Sequence, residues 1–334
     1  MFVNRPDQGV SPSWAGGEAL EGGHRRPRTH DGFRHEAFFC KDDDQFLAGT
    51  LPFITNGTAA GQPVLVAVGP ARAELLRRGL GSNATKVEFV DPAELTANPA
   101  RMIPRWRAFT DLHPGQAVRG IGEPIWAGRR RDEVAECQMH EALLNMAIHS
   151  DTRLWLMCPY DTGTLSSELL AEAQRSHPVV IDVEQHREST AFGGAHHVEA
   201  LFGRDLPLAA VVVSRRAFGA QDYVAIRADT RAHALSAGVD DERAADLALA
   251  VHEVAVNSVT YGRGTGELRI WTTRDALVCE LRSTGRIVDP MVGRLPPPAD
   301  DENGRGLWMA HQLCDLVQVR SGPDGTAVRI HTWL

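Results

Sequence analysis

Lysine is nearly missing from this chain. Of its 35 basic residues only Lys41 and Lys86 are lysines, and the rest are arginines. A Walker-type phosphate loop needs Gly-Lys followed by Ser or Thr, and no Gly-Lys occurs, which excludes a nucleotide site of that kind. Cysteine is sparse and odd in number. Cys40, Cys137, Cys158, Cys279 and Cys314 are scattered, with no Cys-x-x-Cys pair to suggest zinc or a disulfide framework. Free thiols in a reducing cytoplasm are the simplest reading. No apolar run approaches the roughly 20 residues that a membrane helix needs, and residues 1–30 lack the apolar core of a signal peptide. Positive charge is in deficit, at net −8 with a pI near 6.0, which disfavours direct binding of nucleic acid through a basic face. The 14 histidines show no tight ligand spacing, so the spacing points to no structural metal.

What is present suggests two domains. The length is 334 residues, and 43% are hydrophobic, enough for ordinary cores. Residues 1–30 are rich in Gly, Pro, Ser and Arg without an apolar period, and read as a flexible tail carrying the short basic run His24 to Arg28. Residues 31–192 alternate apolar strands (64–68, 87–90, 154–158, 179–181) with helical patterns near 42–57, 71–79, 130–149 and 165–176. That order predicts a parallel sheet covered on both faces. Residues 193–222 form a connector whose apolar run from Leu206 to Val213 is a candidate strand.

Residues 223–334 read as an α/β sandwich. Asp240-Asp241 can cap a long helix that ends at Tyr261, before Gly262. Paired strands follow at 268–272 and 277–281, then a short helix after Gly306, then a hairpin of 317–320 with 328–332 around Gly322-Pro323-Asp324-Gly325. The expected result is helices on one face of a mostly antiparallel sheet.

The chemistry concentrates on that long helix. Glu253 and Asn257 are four residues apart and project from one face. A carboxylate can deprotonate or orient a hydroxyl, and an amide oxygen can ligate Mg²⁺. Taken alone, Glu253 also reads as a solvent-facing helical carboxylate. Asn257 is harder to dismiss, since asparagine is a poor residue inside a helix. About fifty residues later Asn303-Gly304-Arg305-Gly306-Leu307 could hold phosphates with backbone N–H groups at a helix start. By itself it is also a common turn.

The order and spacing of these motifs resemble the ATP-binding domain shared by DNA gyrase, the ninety-kilodalton heat-shock chaperone, histidine kinases and mismatch-repair ATPases, and most of all the anti-sigma-factor serine kinases. The resemblance implies that Glu253 is the catalytic base and Asn257 the Mg²⁺ ligand. Gly304, Arg305 and Gly306 would lie at the phosphates, and the Pro-rich acidic segment 296–302 would form a lid. The family's Asp-x-Gly-x-Gly, whose Asp recognises the adenine amino group, corresponds here to Ser283-Thr284-Gly285-Arg286-Ile287. Ser283 replaces the Asp, Gly285 is kept, and Ile287 stands at the second glycine.

Farther upstream, Arg34-His35-Glu36-Ala37-Phe38-Phe39, the acidic stretch from Asp42 and His177-Pro178 resemble a MEDS-type sensory domain. Its implied fold is RecA-like without a working phosphate loop. His35 is the candidate ligand-facing residue.

The reading is a cytoplasmic regulator of anti-sigma type, sensing a small-molecule signal through its N-terminal domain. It would bind a sigma factor or its antagonist through a serine-kinase-like domain that uses ATP and Mg²⁺. The missing acid at 283 supports a second reading, a partner-binding module that has lost ATP. A third is a small-molecule sensor whose C-terminal domain only forms a homodimer. The connector is too short for the dimerising hairpin of sensor histidine kinases.

Overall fold

The computed structural model describes residues 32–90, 98–182, 185–209, 211–298 and 305–334. The tail 1–30, Gly304 and part of the expected lid lie outside the described residues.

The N-terminal half follows the strand–helix alternation. In chain order it comprises β1 (Arg34–Cys40), α1 (Asp43–Ala59), β2 (Val64–Ala67), α2 (Pro70–Leu80), β3 (Glu88–Phe89), α3 (Met102–Asp111), β4 (Val118–Gly122), α4 (Arg131–Ala147), β5 (Leu154–Asp161), α5 (Ser167–Ser176), β6 (Val179–Ile181), β7 (His186–Glu188) and α6 (Gly194–Phe202). The sheet order is β3-β2-β4-β5-β1-β6-β7, parallel except for the last pair. β2 is buried at all four positions because helices cover both faces, which is why it reads as an unbroken apolar run.

β4 and α3 were not legible from hydrophobic pattern. β4 carries two glycines in five residues, which weakens a strand signal. The reason is spatial: a Cβ on Gly120 would lie 2.7 Å from the Trp106 ring of α3 and 2.8 Å from Leu156. The glycines make room for Trp106, the largest fully buried side chain among the described residues.

At the carboxyl edge of this sheet, where open α/β folds commonly bind ligands, the charges are already paired. Arg72 reaches Glu123, Asp161 at 3.1 Å and Asp43 at 3.5 Å. The helix after β1 is capped by Asp42 and has Asp43 and Asp44 in its first turn. That arrangement opposes a phosphate.

The C-terminal half adds β8 (Ser214–Phe218), α7 (Tyr223–Ser236), α8 (Asp241–Tyr261), β9 (Gly266–Thr272), β10 (Ala276–Ser283), α9 (Arg305–Leu313), β11 (Leu316–Gly322) and β12 (Gly325–Trp333). The strands form one antiparallel sheet, β11-β12-β10-β9-β8. Among its described residues the expected strand at Leu206–Val213 does not form. Leu208, Val211 and Val213 are exposed, and the sheet's fifth strand starts at Ser214. Pairing with β9, in the register Ser214 to Ile270, decides where that strand lies, not the apolar run.

Alternation along the strands gives the sheet two different faces. Leu268, Ile270, Leu277, Cys279, Leu281, Val317, Val319, Val328 and Ile330 join α8 in the core. The opposite face carries Glu280, Gln318, Arg320, Arg329 and His331, all buried. They are buried because the N-terminal half and the connector cover that face. Gln318 donates to the Asp132 carbonyl at 3.4 Å, Arg320 meets Glu136 at 2.6 Å, and Arg329 donates to the Pro207 carbonyl at 2.7 Å.

Candidate functional site

α8 is built as its sequence dictates. Asp240 accepts from the Arg243 N–H at 2.9 Å, and the helix ends at Gly262. Leu247, Val251, Val254 and Ser258 are buried, while Glu253 and Asn257 stand half-buried on the neighbouring face. α9 packs against that face. A Cβ on Gly306 would fall 2.9 Å from Asn257 Nδ2 and 3.2 Å from Glu253 Oε2. Glycine at 306 therefore brings the backbone of the α9 start onto the carboxylate and the amide. Arg305 opens α9 with its side chain exposed.

Ser283 and Gly285 form a second group, about 6 Å further along α8, one helical turn. Ser283 is the last residue of β10 and pairs with Thr326 of β12. A Cβ on Gly285 would reach 2.5 Å from the Tyr261 carbonyl, so this glycine lets the loop cross the end of α8. Its own carbonyl accepts from the Thr326 hydroxyl at 2.7 Å. Ile287 is buried in the apolar core, and its N–H donates to Ser321 Oγ at 2.8 Å. The residues fit a magnesium–phosphate group at Glu253, Asn257 and Gly306. They do not supply the acid that would recognise adenine.

The far end of α9 is gripped by the N-terminal half. Arg101 donates to the carbonyls of His311 at 2.9 Å and Gln312 at 2.5 Å, and the Asn98 amide meets His311 Nδ1 at 3.1 Å. Carbonyls at a helix C-terminus lack partners within the helix, and a guanidinium satisfies them. Arg294, in the segment between β10 and α9, meets Glu136 of α4 at 2.8 Å. The segment and helix that flank the candidate phosphate loop are thus both tied to the other domain. Motif reading had no access to these residues, because each pair is more than 150 positions apart in sequence.

His35 lies in the core of the N-terminal half, not on a surface. It belongs to a fully enclosed group with Glu141 of α4, Cys158 of β5 and His177 at the end of α5, all within 4.8 Å of one another at their ligand atoms. Burial would raise the Glu141 carboxyl, but the close imidazoles of His177 and His35 outweigh it and hold it well below the usual range. Burial lowers His35 and raises the Cys158 thiol, to which the Glu141 charge adds. Sequence reasoning reached His35 and His177 through resemblance and missed Glu141 and Cys158. Gaps of 17 to 106 residues between the four leave no local spacing to find.

A parallel-sheet domain fastened to an antiparallel α/β sandwich with this helix pair defines the class: a sensory domain joined to a kinase-like ATPase domain. Residues 34–178 match the methanogen/methylotroph, DcmR sensory domain family (MEDS), and residues 219–332 match the histidine kinase-like ATPase domain family. The chain has a MEDS domain at its N-terminal side and a histidine kinase-like ATPase domain at its C-terminal side. No curated protein matches the chain. Among the described residues no helix is long and apolar enough to cross a membrane.

Proposed function

We propose that this protein is a cytoplasmic anti-sigma-type regulator. Its sensory domain sets the position of α9 and thereby the ability of the ATPase-like domain to hold nucleotide and engage a sigma factor or that factor's antagonist. The observation that carries this is the double hold on α9. Its start lies on Glu253 and Asn257 through Gly306, and its end is held by Arg101 of the sensory domain.

In this reading Asn257 holds Mg²⁺ through its amide oxygen, and the backbone around Gly306 faces the phosphates. Mg-ATP, when bound, supplies an activated phosphoryl group. Glu253 stands to accept the proton of a serine hydroxyl presented by the antagonist, as general base.

Ser283 favours a second reading, in which the domain binds its partner without turnover. A hydrogen bond to a charged group is worth about 1.5–3 kcal/mol, so a missing carboxylate weakens adenine binding by roughly ten- to a hundredfold. Titration calorimetry on the full chain separates the readings. Wild type should bind Mg-ATP weakly. Ser283→Asp should recover up to about 1.5–3 kcal/mol, and Asn257→Ala in that background should abolish the Mg²⁺-dependent part. If neither wild type nor Ser283→Asp binds Mg-ATP, the ATP reading fails and the partner-binding reading stands. Tight wild-type binding indifferent to position 283 would place adenine recognition elsewhere.

A further inference from the structure

We propose that His35, Glu141, Cys158 and His177 form a buried site for one divalent transition-metal ion of the zinc class in the core of the sensory domain. The argument starts from which ring nitrogens face the centre. The Asn145 amide N–H₂ group donates to the Ser176 carbonyl at 2.8 Å and approaches the carbonyls of Glu141 and Ala142 at 3.3 Å. Its oxygen is therefore the atom that meets His35 Nδ1 at 3.1 Å, so that nitrogen carries the proton. His177 Nδ1 likewise donates to the Ala173 carbonyl at 2.8 Å. In both rings Nε2 is thus the nitrogen that faces the centre.

Both nitrogens meet the same carboxylate, and one of them also meets the thiol. His35 Nε2 lies 3.4 Å from Glu141 Oε2 and 3.5 Å from Cys158 Sγ. His177 Nε2 lies 2.8 Å from the same Glu141 oxygen, without hydrogen-bond alignment. Two imidazole nitrogens, a thiol and a carboxylate therefore converge in a dry core, with the Tyr160 hydroxyl donating to Glu141 Oε2 at 3.3 Å, and the four side chains offer one ligand atom each to a cation among them. The spacings from His35 to Glu141 and to Cys158 suit one. Zinc bonds of about 2.0–2.3 Å at tetrahedral angles put neighbouring ligand atoms about 3.3–3.6 Å apart.

The ligand set supports a metal in three further ways. Thiolate and imidazole select zinc-like ions over Mg²⁺ or Ca²⁺, which prefer oxygen. Each histidine has its outer nitrogen fixed by a carbonyl or amide oxygen, the orienting contact typical of metal-bound imidazoles. The charges also balance. As the sulfur–metal bond forms, Cys158 gives its thiol proton to solvent, and the thiolate and the Glu141 carboxylate together neutralise a divalent ion. No oxidation state changes. Among the described residues this is the one group with such a donor set, and it is separate from Asn257 and the proposed nucleotide.

The test uses the full chain, with any affinity tag removed. The protein is stripped with chelator, reloaded with zinc or cobalt(II), desalted and assayed for metal. The expected result is one ion per chain, a raised thermal midpoint on reloading, and a tetrahedral cobalt spectrum with a near-ultraviolet thiolate band. Cys158→Ser should remove that band, and Asn145→Leu should weaken zinc binding by about 10- to 100-fold. Asn257→Ala should leave the metal unchanged, which keeps this result independent of the nucleotide reading. Folded wild-type protein that retains no stoichiometric metal, or a cobalt spectrum lacking the thiolate band, overturns the proposal. Those wild-type results decide the matter even if the variants do not fold.

Discussion

At the scale of single residues, burial governs the histidines of this protein. Burial pushes His331 down to about 3 and His140 down to about 4, and it holds His311 well below the ordinary value of 6.5. His331 lies on β12 with Nε2 at 3.1 Å from Gln318 Oε1 of β11, and it is neutral in the folded state. The sign follows from linkage. Below about pH 6.5 the unfolded chain takes up protons that the folded chain refuses, so stability falls as pH drops toward the depressed folded values. Each such histidine contributes a slope of up to about 1.4 kcal/mol per pH unit in that window. Denaturant unfolding should therefore show a marked loss of stability from about pH 7 to about pH 5. His331→Gln, which cannot titrate, should flatten the curve. An unchanged slope in that variant would mean that His331 is protonated in the fold.

At the scale of elements, α9 is short, nine residues, and isolated helices of that length are unstable in water. Its stability comes from packing on α8 and from the capping of its C-terminal carbonyls by Arg101. Arg101→Ala should cost roughly 1–3 kcal/mol, the worth of hydrogen bonds to a charged group. It should also speed amide hydrogen exchange in residues 305–313 while the middle of α8 stays protected. Arg101→Lys should recover only part of the loss, because an ammonium lacks the planar fork that spans two carbonyls. Unaltered exchange in α9 after removal of Arg101 would sink the idea that the sensory domain holds this helix.

At the scale of the whole molecule, the two domains share one interior. A continuous apolar cluster runs from Ala37 and Cys158 through Val198, Leu201 and Phe202 of α6 to Val254 and Ile330. Glu136, nearly fully buried, sits in the interface between Arg294 and Arg320. Taking away one partner of such a group leaves uncompensated buried charge, at about 3–5 kcal/mol. The full chain should melt in one calorimetric transition, and Glu136→Gln should lower its stability by about that amount and broaden or split the peak. Two well-separated transitions in the wild-type protein would show that the domains are not coupled in this way. The same carboxylate ties α4, which carries Glu141, to the segment before α9.

Local pattern was enough for the two-domain α/β plan and for much of its secondary structure. The buried strands β2 and β5 read as apolar runs because both faces are covered, and α8 announced itself by its cap, its period and its closing glycine. The facing of Glu253 and Asn257 also follows from helix geometry alone, since four residues make about one turn. Other features depend on what the chain meets after folding. β4 hides its strand signal in glycines that exist for the Trp106 ring. β8 takes its place from β9 rather than from the apolar run before it. The polar face of the C-terminal sheet looks like a surface in sequence and is an interface in space. The four donors of the group come from β1, α4, β5 and the end of α5, and only the sheet order that sets β1 beside β5 under α4 brings them within reach. Periodicity records which side of an element is buried. It carries no information about which distant element does the burying, and that was left to the tertiary structure.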